Sequence, residues 1–177
     1  MQRTLEPELM QDQEQVKAYA EADFATAHNR FIELISEQQG KALTGTVLDL
    51  GCGPGDVTVR FAQMFNSCRV DAVDGSRPML DQAINDLPDI LRQRVRYIHG
   101  YLPDDRFSSL KYKTIISNSL LHHLPDPGVR WQTIKQYGEP GANIYVMDLL
   151  RPENITQAQM MIQNYSAKEP EIIHTDF

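Results

Sequence analysis

From residue 46 onward, short apolar runs alternate with amphipathic helical stretches, and no other feature restricts the fold of this 177-residue chain as tightly. Strands are predicted over 46–50, 69–73, 95–98, 114–117 and 143–147. Between them the apolar spacing predicts helices over 56–64, 78–85 and 129–136, short helical pieces around Ile90 and Leu91 and near Leu120, and a last helix over 153–167. Strict alternation implies right-handed crossovers, a mainly parallel sheet and helices on both faces, the α/β doubly wound, Rossmann-like arrangement. Such sheets take ligands beyond the carboxyl ends of their strands, where strand order reverses. Function is therefore expected in the loops after the first, second and fourth strands.

The first 40 residues read differently, as two polar helices. Val16, Tyr19 and Ala20 mark one apolar stripe; Phe24, Ala27, Phe31, Leu34 and Ile35 mark the second, which Gly40 closes as a C-cap. The organisation expected is one domain over 1–177, with a helical segment over 1–40 preceding an α/β core over 41–177.

Composition narrows the partners. With 41% hydrophobic and 23% charged residues the chain has ordinary globular make-up, and no apolar run reaches membrane-spanning length. A net charge of −7 and the absence of any Lys/Arg run argue against a nucleic-acid partner. Cys52 and Cys68 are too few for a disulfide framework and lack paired metal-ligand spacing, so no metal and a reducing, cytoplasmic setting are expected.

The loop after the first strand is the most informative segment. Gly51, Gly53 and Gly55 stand at alternate positions, letting the backbone turn sharply and approach a ligand, and the helix that follows aims its free N–H groups there. A dinucleotide loop would want glycine at position 56, where Asp56 would instead face a pyrophosphate. A zwitterionic amino-acid tail uses acidic neighbours for its ammonium group, and Asp49 is such an acid. A glycine turn that serves only chain reversal is the alternative.

Asp49-Leu50-Gly51-Cys52-Gly53-Pro54-Gly55 after an apolar strand resembles the signature of class I S-adenosylmethionine-dependent methyltransferases. That resemblance covers roughly residues 15–152. It implies S-adenosylmethionine as cofactor, with its methionyl part at Asp49, Gly51, Gly53 and Gly55, and strand order 3-2-1-4-5. Cys52 then reads as a small loop residue, since methyl transfer from a sulfonium needs no covalent enzyme intermediate.

Asp74 ends the second strand about 20 residues beyond the glycine loop, the distance at which an acid reaches ribose hydroxyls. A helix N-cap is its other reading. The resemblance extends to Gly75, Ser76 and to Met79, which would lie against adenine. It also extends to Gly100 and Tyr101, where many members carry an acid after the glycine; here a backbone group replaces it, or Tyr101 stacks. Asp71 is expected on the opposite face.

After the fourth strand, Ser117-Asn118-Ser119-Leu120-Leu121-His122-His123-Leu124 resembles a stretch of small-molecule and quinone-type methyltransferases. Asn118 would orient a substrate or the methionyl tail. His123, placed ahead of His122, would take a proton from the acceptor; one of the two histidines packing structurally is the competing reading, since orienting the nucleophile can suffice. His28 and His99 read as structural or surface residues. Asn118 is not followed by the Pro-Pro-aromatic run of nucleobase amine methylation. Tyr19 and Phe24 would line a lid formed by the N-terminal helices. A small-molecule acceptor is expected, with a non-catalytic cofactor-binding protein, a truncated enzyme core or an NAD-dependent oxidoreductase as rivals. The resembled fold has seven strands, while five are legible here. The fifth is then an exposed apolar edge that invites a homodimer or the tail around Glu171, Ile172, Ile173 and His174.

Overall fold

A computed structural model describes residues 9–103, 110–150 and 152–165. Helices α1 (Gln13–Glu21) and α2 (Ala25–Gln39) precede an alternating core: β1 (Gly45–Leu50), α3 (Asp56–Met64), β2 (Cys68–Asp74), α4 (Arg77–Asp86), β3 (Val95–His99), β4 (Tyr112–Asn118), α5 (Gly128–Tyr137), β5 (Gly138–Met147) and α6 (Ile155–Tyr165). The sheet runs β3-β2-β1-β4-β5 and every neighbouring pair is parallel. Strand order reverses between β1 and β4, so the ends of these two strands frame the expected ligand crevice.

The central strands explain the arrangement. Val47, Leu48 and Leu50 of β1 are fully buried, because both faces of a parallel sheet are covered. Alternate side chains feed two cores. On one face Phe31 and Ile35 of α2, Phe61 of α3 and Leu80 of α4 pack on Val47, Val70, Ala72 and Ile116. On the other, Ile134 and Tyr137 of α5 meet Leu48, Leu50, Val73 and Ile115. Each such aliphatic or aromatic side chain contributes roughly 1.5–3 kcal/mol on burial.

Several local expectations need correction. The predicted helical piece at Leu120 is a pair of turns, in which His123 N–H donates to the Leu120 carbonyl and Leu124 N–H to that of Leu121. In α2, Ala27 and Leu34 are exposed and Ile32 is buried with Phe31 and Ile35, because the sheet-facing stripe is narrower than the apolar pattern. β5 begins at Gly138, where Gly138 pairs Tyr112 before a register shift ahead of Thr114; Gly138, Pro140 and Gly141 disguise this start as a turn. Among the described residues there are five strands, and β5 pairs only with β4. The tail from Glu169 to Phe177 and the end of the predicted last helix lie outside the described residues. Among those residues no helix is long and apolar enough to cross a membrane.

Candidate cofactor and acceptor site

The glycine loop leaves β1 with φ of +73° at Gly51, +51° at Gly53 and +88° at Gly55, a left-handed run that L side chains resist. Two of these positions differ in what surrounds them. A Cβ on Gly55 would lie 2.3 Å from the Tyr97 hydroxyl and 3.1 Å from Ala83, so this glycine serves close packing of α3 against its neighbours. A Cβ on Gly53 would meet nothing within 4 Å. The left-handed turn at Gly53 thus faces open space, as a ligand cradle does.

Two acids flank this cradle. Asp49 is wholly buried, and Thr58 Oγ1 of α3 donates to its Oδ2 at 2.6 Å. Burial pushes its carboxyl up to about 7; the Thr58 bond opposes that rise and the nearby Asp74 charge adds to it. Asp74 sits at the end of β2, where its Oδ2 accepts Gly53 N–H at 2.8 Å and its Oδ1 accepts Ser76 N–H at 2.7 Å. Burial raises its pKa too, against those backbone bonds and the charge field of His99. Asp74 is not the cap of α4. That role falls to Ser76, whose hydroxyl accepts Met79 N–H at 3.3 Å and donates to the Met10 carbonyl.

The remaining cofactor candidates gather around the β2 and β3 ends. Met79 is buried. Gly100 N–H donates to the Asp74 carbonyl at 3.0 Å, and Tyr101 is half exposed with its ring edge-on to His99. His99 is tied to the Gly75 carbonyl at 3.0 Å. Leu9 and Met10 reach this same corner, Leu9 lying against Gly75. The tilted rings of Tyr19 and Phe24 have centroids 5.1 Å apart, and Phe24 meets His28 at 5.7 Å. His28 Nδ1 lies 2.6 Å from Asp56 Oδ2, which also accepts Arg60 Nε–H at 2.8 Å. Burial alone would raise Asp56, but the His28 and Arg60 contacts win and hold it at about 2. Asp71 faces away, paired with Arg96 and the Tyr112 hydroxyl.

A second cluster stands across the crevice, at the ends of β4 and β5. The turn after β4 presses on the glycine loop: a Cβ on Gly51 would lie 2.7 Å from Leu120. Asn118 Oδ1 is buried with no hydrogen-bond partner, an unanswered acceptor beside the crevice. His122 Nδ1 lies 2.7 Å from Asp148 Oδ1, while Asp148 Oδ2 accepts Leu121 N–H at 2.6 Å. Burial would raise Asp148, but these bonds outweigh it and lower its pKa. Such an ionised carboxylate is an acceptor, so His122 Nδ1 carries the proton. The His123 ring lies tilted against His122 with centroids 4.1 Å apart, and its pKa is pushed down to about 4, chiefly by burial and then by His122.

Asp148 and Thr58 were missed by sequence reasoning. Asp148 had the signal that found Asp74, an acid directly after an apolar strand, yet no glycine loop drew attention to it. Thr58 read only as part of a helix. Cys52 and Cys68 are buried and free, with thiol pKa values raised mainly by burial, so neither is an activated nucleophile.

The parallel sheet of order β3-β2-β1-β4-β5 with helices around it is the fold of class I S-adenosylmethionine-dependent methyltransferases, and the acid–glycine loop and the acid at the next strand's end lie at the carboxyl ends of its strands. Residues 47–141, just over half of the chain, match the family model described as a methyltransferase domain, and the chain belongs to that family. An uncharacterized methyltransferase of Mycobacterium tuberculosis is 27% identical over 109 residues, 62% of this chain and 53% of that protein. Trans-aconitate 2-methyltransferase of Azoarcus sp. is 30% identical over 111 residues, 62% of this chain and 40% of that one. Among solved structures, the plantazolicin methyltransferase bound to S-adenosylhomocysteine superposes with a TM-score of 0.68 at 16% identity, covering 92% of this chain and 62% of that one. Coclaurine N-methyltransferase superposes at 0.59 and 21% identity, covering 71% and 36%. These likenesses establish the fold. The chain spans about half the length of the first curated relatives it matches.

Proposed function

We propose that this chain binds S-adenosylmethionine between Asp49 and Asp74 and promotes transfer of its methyl group to a small-molecule acceptor above β4 and β5. The cofactor supplies an electrophilic methyl on a sulfonium centre. The observation that carries this reading is the cradle itself: Asp74 is fixed by Gly53 and Ser76 N–H groups beside a glycine whose left-handed turn opens onto empty space.

In this reading Asp74 accepts ribose hydroxyls, Asp49 and the loop around Gly51, Gly53 and Gly55 hold the methionyl end, and Asn118 Oδ1 accepts from its ammonium group. Gly75, Ser76, Met79, Gly100 and Tyr101 surround the adenine. Residues 1–40 act as a lid, with Tyr19 and Phe24 on its inner side. Between the two histidines, the geometry favours His122 as the base. Asp148 holds the Nδ1 proton, which directs the Nε2 lone pair to receive one from the acceptor. His123, at about 4, is neutral at pH 7 and too weak a base to compete. Asp56 at the head of α3 stays ionised and speaks against a pyrophosphate, hence against the NAD-dependent reading.

The test is release of S-adenosylhomocysteine during a screen of small hydroxyl, amine and carboxyl acceptors. His122→Ala and Asp148→Asn should each lower turnover by about 10²–10⁴-fold while leaving S-adenosylhomocysteine affinity in place. Full turnover in both variants would remove the base from the mechanism. A second reading, a cofactor-binding core that does not turn over alone, is supported by the edge of β5, which among the described residues pairs only with β4. Tight S-adenosylmethionine binding without turnover across the screen would select it. The β5 edge, with Ile144 exposed, is in either case where a second copy or a further segment would pair.

A further inference from the structure

Helix α5 buries Arg130, Thr133, Ile134 and Tyr137. Spacings of four and three place Arg130 on the same face as Ile134 and Tyr137, which pack on the sheet at Leu48, Leu50 and Ile115. Because α5 returns from the carboxyl end of β4, its first turn lies at the end of the sheet that carries Asn118, His122 and Asp148. The guanidinium feels the charge of Asp148 without pairing to it. Arg130 is 2% exposed, and its Nε and Nη1 are enclosed with no hydrogen-bond partner among the described residues. Its Cζ lies over the ring of Trp131, 4.5 Å from the centroid.

A buried cation that forms no direct ion pair and leaves two guanidinium nitrogens without a hydrogen bond is costly, and an apolar residue of similar volume would remove that cost. The position on an otherwise sheet-packing face gives no structural reason for the charge. A ligand anion does. We propose that Arg130 determines acceptor specificity by taking a carboxylate carried by the methyl acceptor, beside the Asp148–His122 pair. This rests on the function proposed above. A single cation matches a single negative charge, and the adjoining Asp148 carboxylate disfavours a doubly charged phosphate.

The test uses the full chain and two readouts. First, Arg130→Met should melt at a higher temperature than the unaltered protein in ligand-free buffer, because an unpaired buried charge is lost; a lower melting temperature would make Arg130 structural and overturn the proposal. Second, sodium acetate should raise the melting temperature of the unaltered protein above that in sodium chloride of equal ionic strength, while methyl acetate should not. The apparent acetate affinity should fall at least about tenfold in Arg130→Met and less in Arg130→Lys. No acetate effect, the same effect in Arg130→Met, or a larger effect from phosphate overturns it. Titration with S-adenosylhomocysteine separates the two levels. Its failure would sink the methyltransferase reading, whereas intact binding in Arg130→Met with no acetate effect anywhere would sink only the carboxylate.

Discussion

Asp74 accepts the backbone N–H of Gly53 at 2.8 Å across 21 residues of sequence, tying the glycine loop after β1 to the end of β2. The carboxylate therefore holds the glycine loop to the turn after β2. Asp74→Ala should weaken S-adenosylhomocysteine binding by about 1–3 kcal/mol, the cost of leaving buried polar partners unanswered. Calorimetric titration of the variant reads this directly. Unchanged affinity would end the ribose assignment.

Gly53 and Gly55 should behave in opposite ways when each is changed to alanine. At Gly55 the new methyl would lie 2.3 Å from the Tyr97 hydroxyl, so Gly55→Ala should lose stability whether or not ligand is present. At Gly53 only the left-handed backbone resists, a strain of about 1–2 kcal/mol, and the methyl points into the cradle. Gly53→Ala should keep most of the melting temperature and lose most of the cofactor affinity. Equal behaviour of the pair in both assays would contradict the division.

Much of the candidate site's placement was legible because its logic is local. Asp49, the three glycines and Asp74 stand at strand ends whose positions follow from apolar runs, and all five strands were found where β-branched residues cluster. What was not legible depends on tertiary contact. Nothing in sequence tells that Thr58 reaches back to Asp49, that Leu120 fills the space a side chain at Gly51 would need, or that Asp148 selects the tautomer of His122. The start of β5 was hidden because Gly138, Pro140 and Gly141 carry turn chemistry: Gly138 pairs Tyr112, a register shift follows with Gly141 at a φ of +82°, and pairing resumes at Asn143.

Asp49 supplies a test through protons. Its carboxyl is held at about 7 against an ordinary 3.8, so the neutral form is favoured in the fold. For an acid raised in this way, the stability contribution is complete below pH 4 and is lost as pH rises towards 7. Asp49→Asn should flatten the dependence of melting temperature over that window. If Asp49 meets the ammonium of the methionyl tail, binding lowers its pKa and releases protons near pH 7. Binding enthalpies measured in buffers of different ionisation enthalpy would show that release; buffer-independent enthalpies would place the ammonium elsewhere.

The lid can be tested without disturbing the core. Leu9 lies against Gly75 and the Met10 carbonyl accepts from Ser76, while α1 keeps its own cap at Asp12. Deleting residues 1–11 should accelerate dissociation of S-adenosylhomocysteine and weaken its affinity by about tenfold, the loss of roughly one 1.4 kcal/mol step. Removal that leaves both rate and affinity intact would mean that the segment ahead of α1 takes no part in covering the cofactor.

The most direct test of the central claim is calorimetric titration of the full chain with S-adenosylmethionine, S-adenosylhomocysteine and NAD. One-to-one binding of both sulfur ligands is expected, weakened in Asp74→Ala and Gly53→Ala, with no heat from NAD. Binding of NAD, or no binding of either sulfur ligand to a folded chain, would contradict the cofactor site read from Asp49, Gly53 and Asp74.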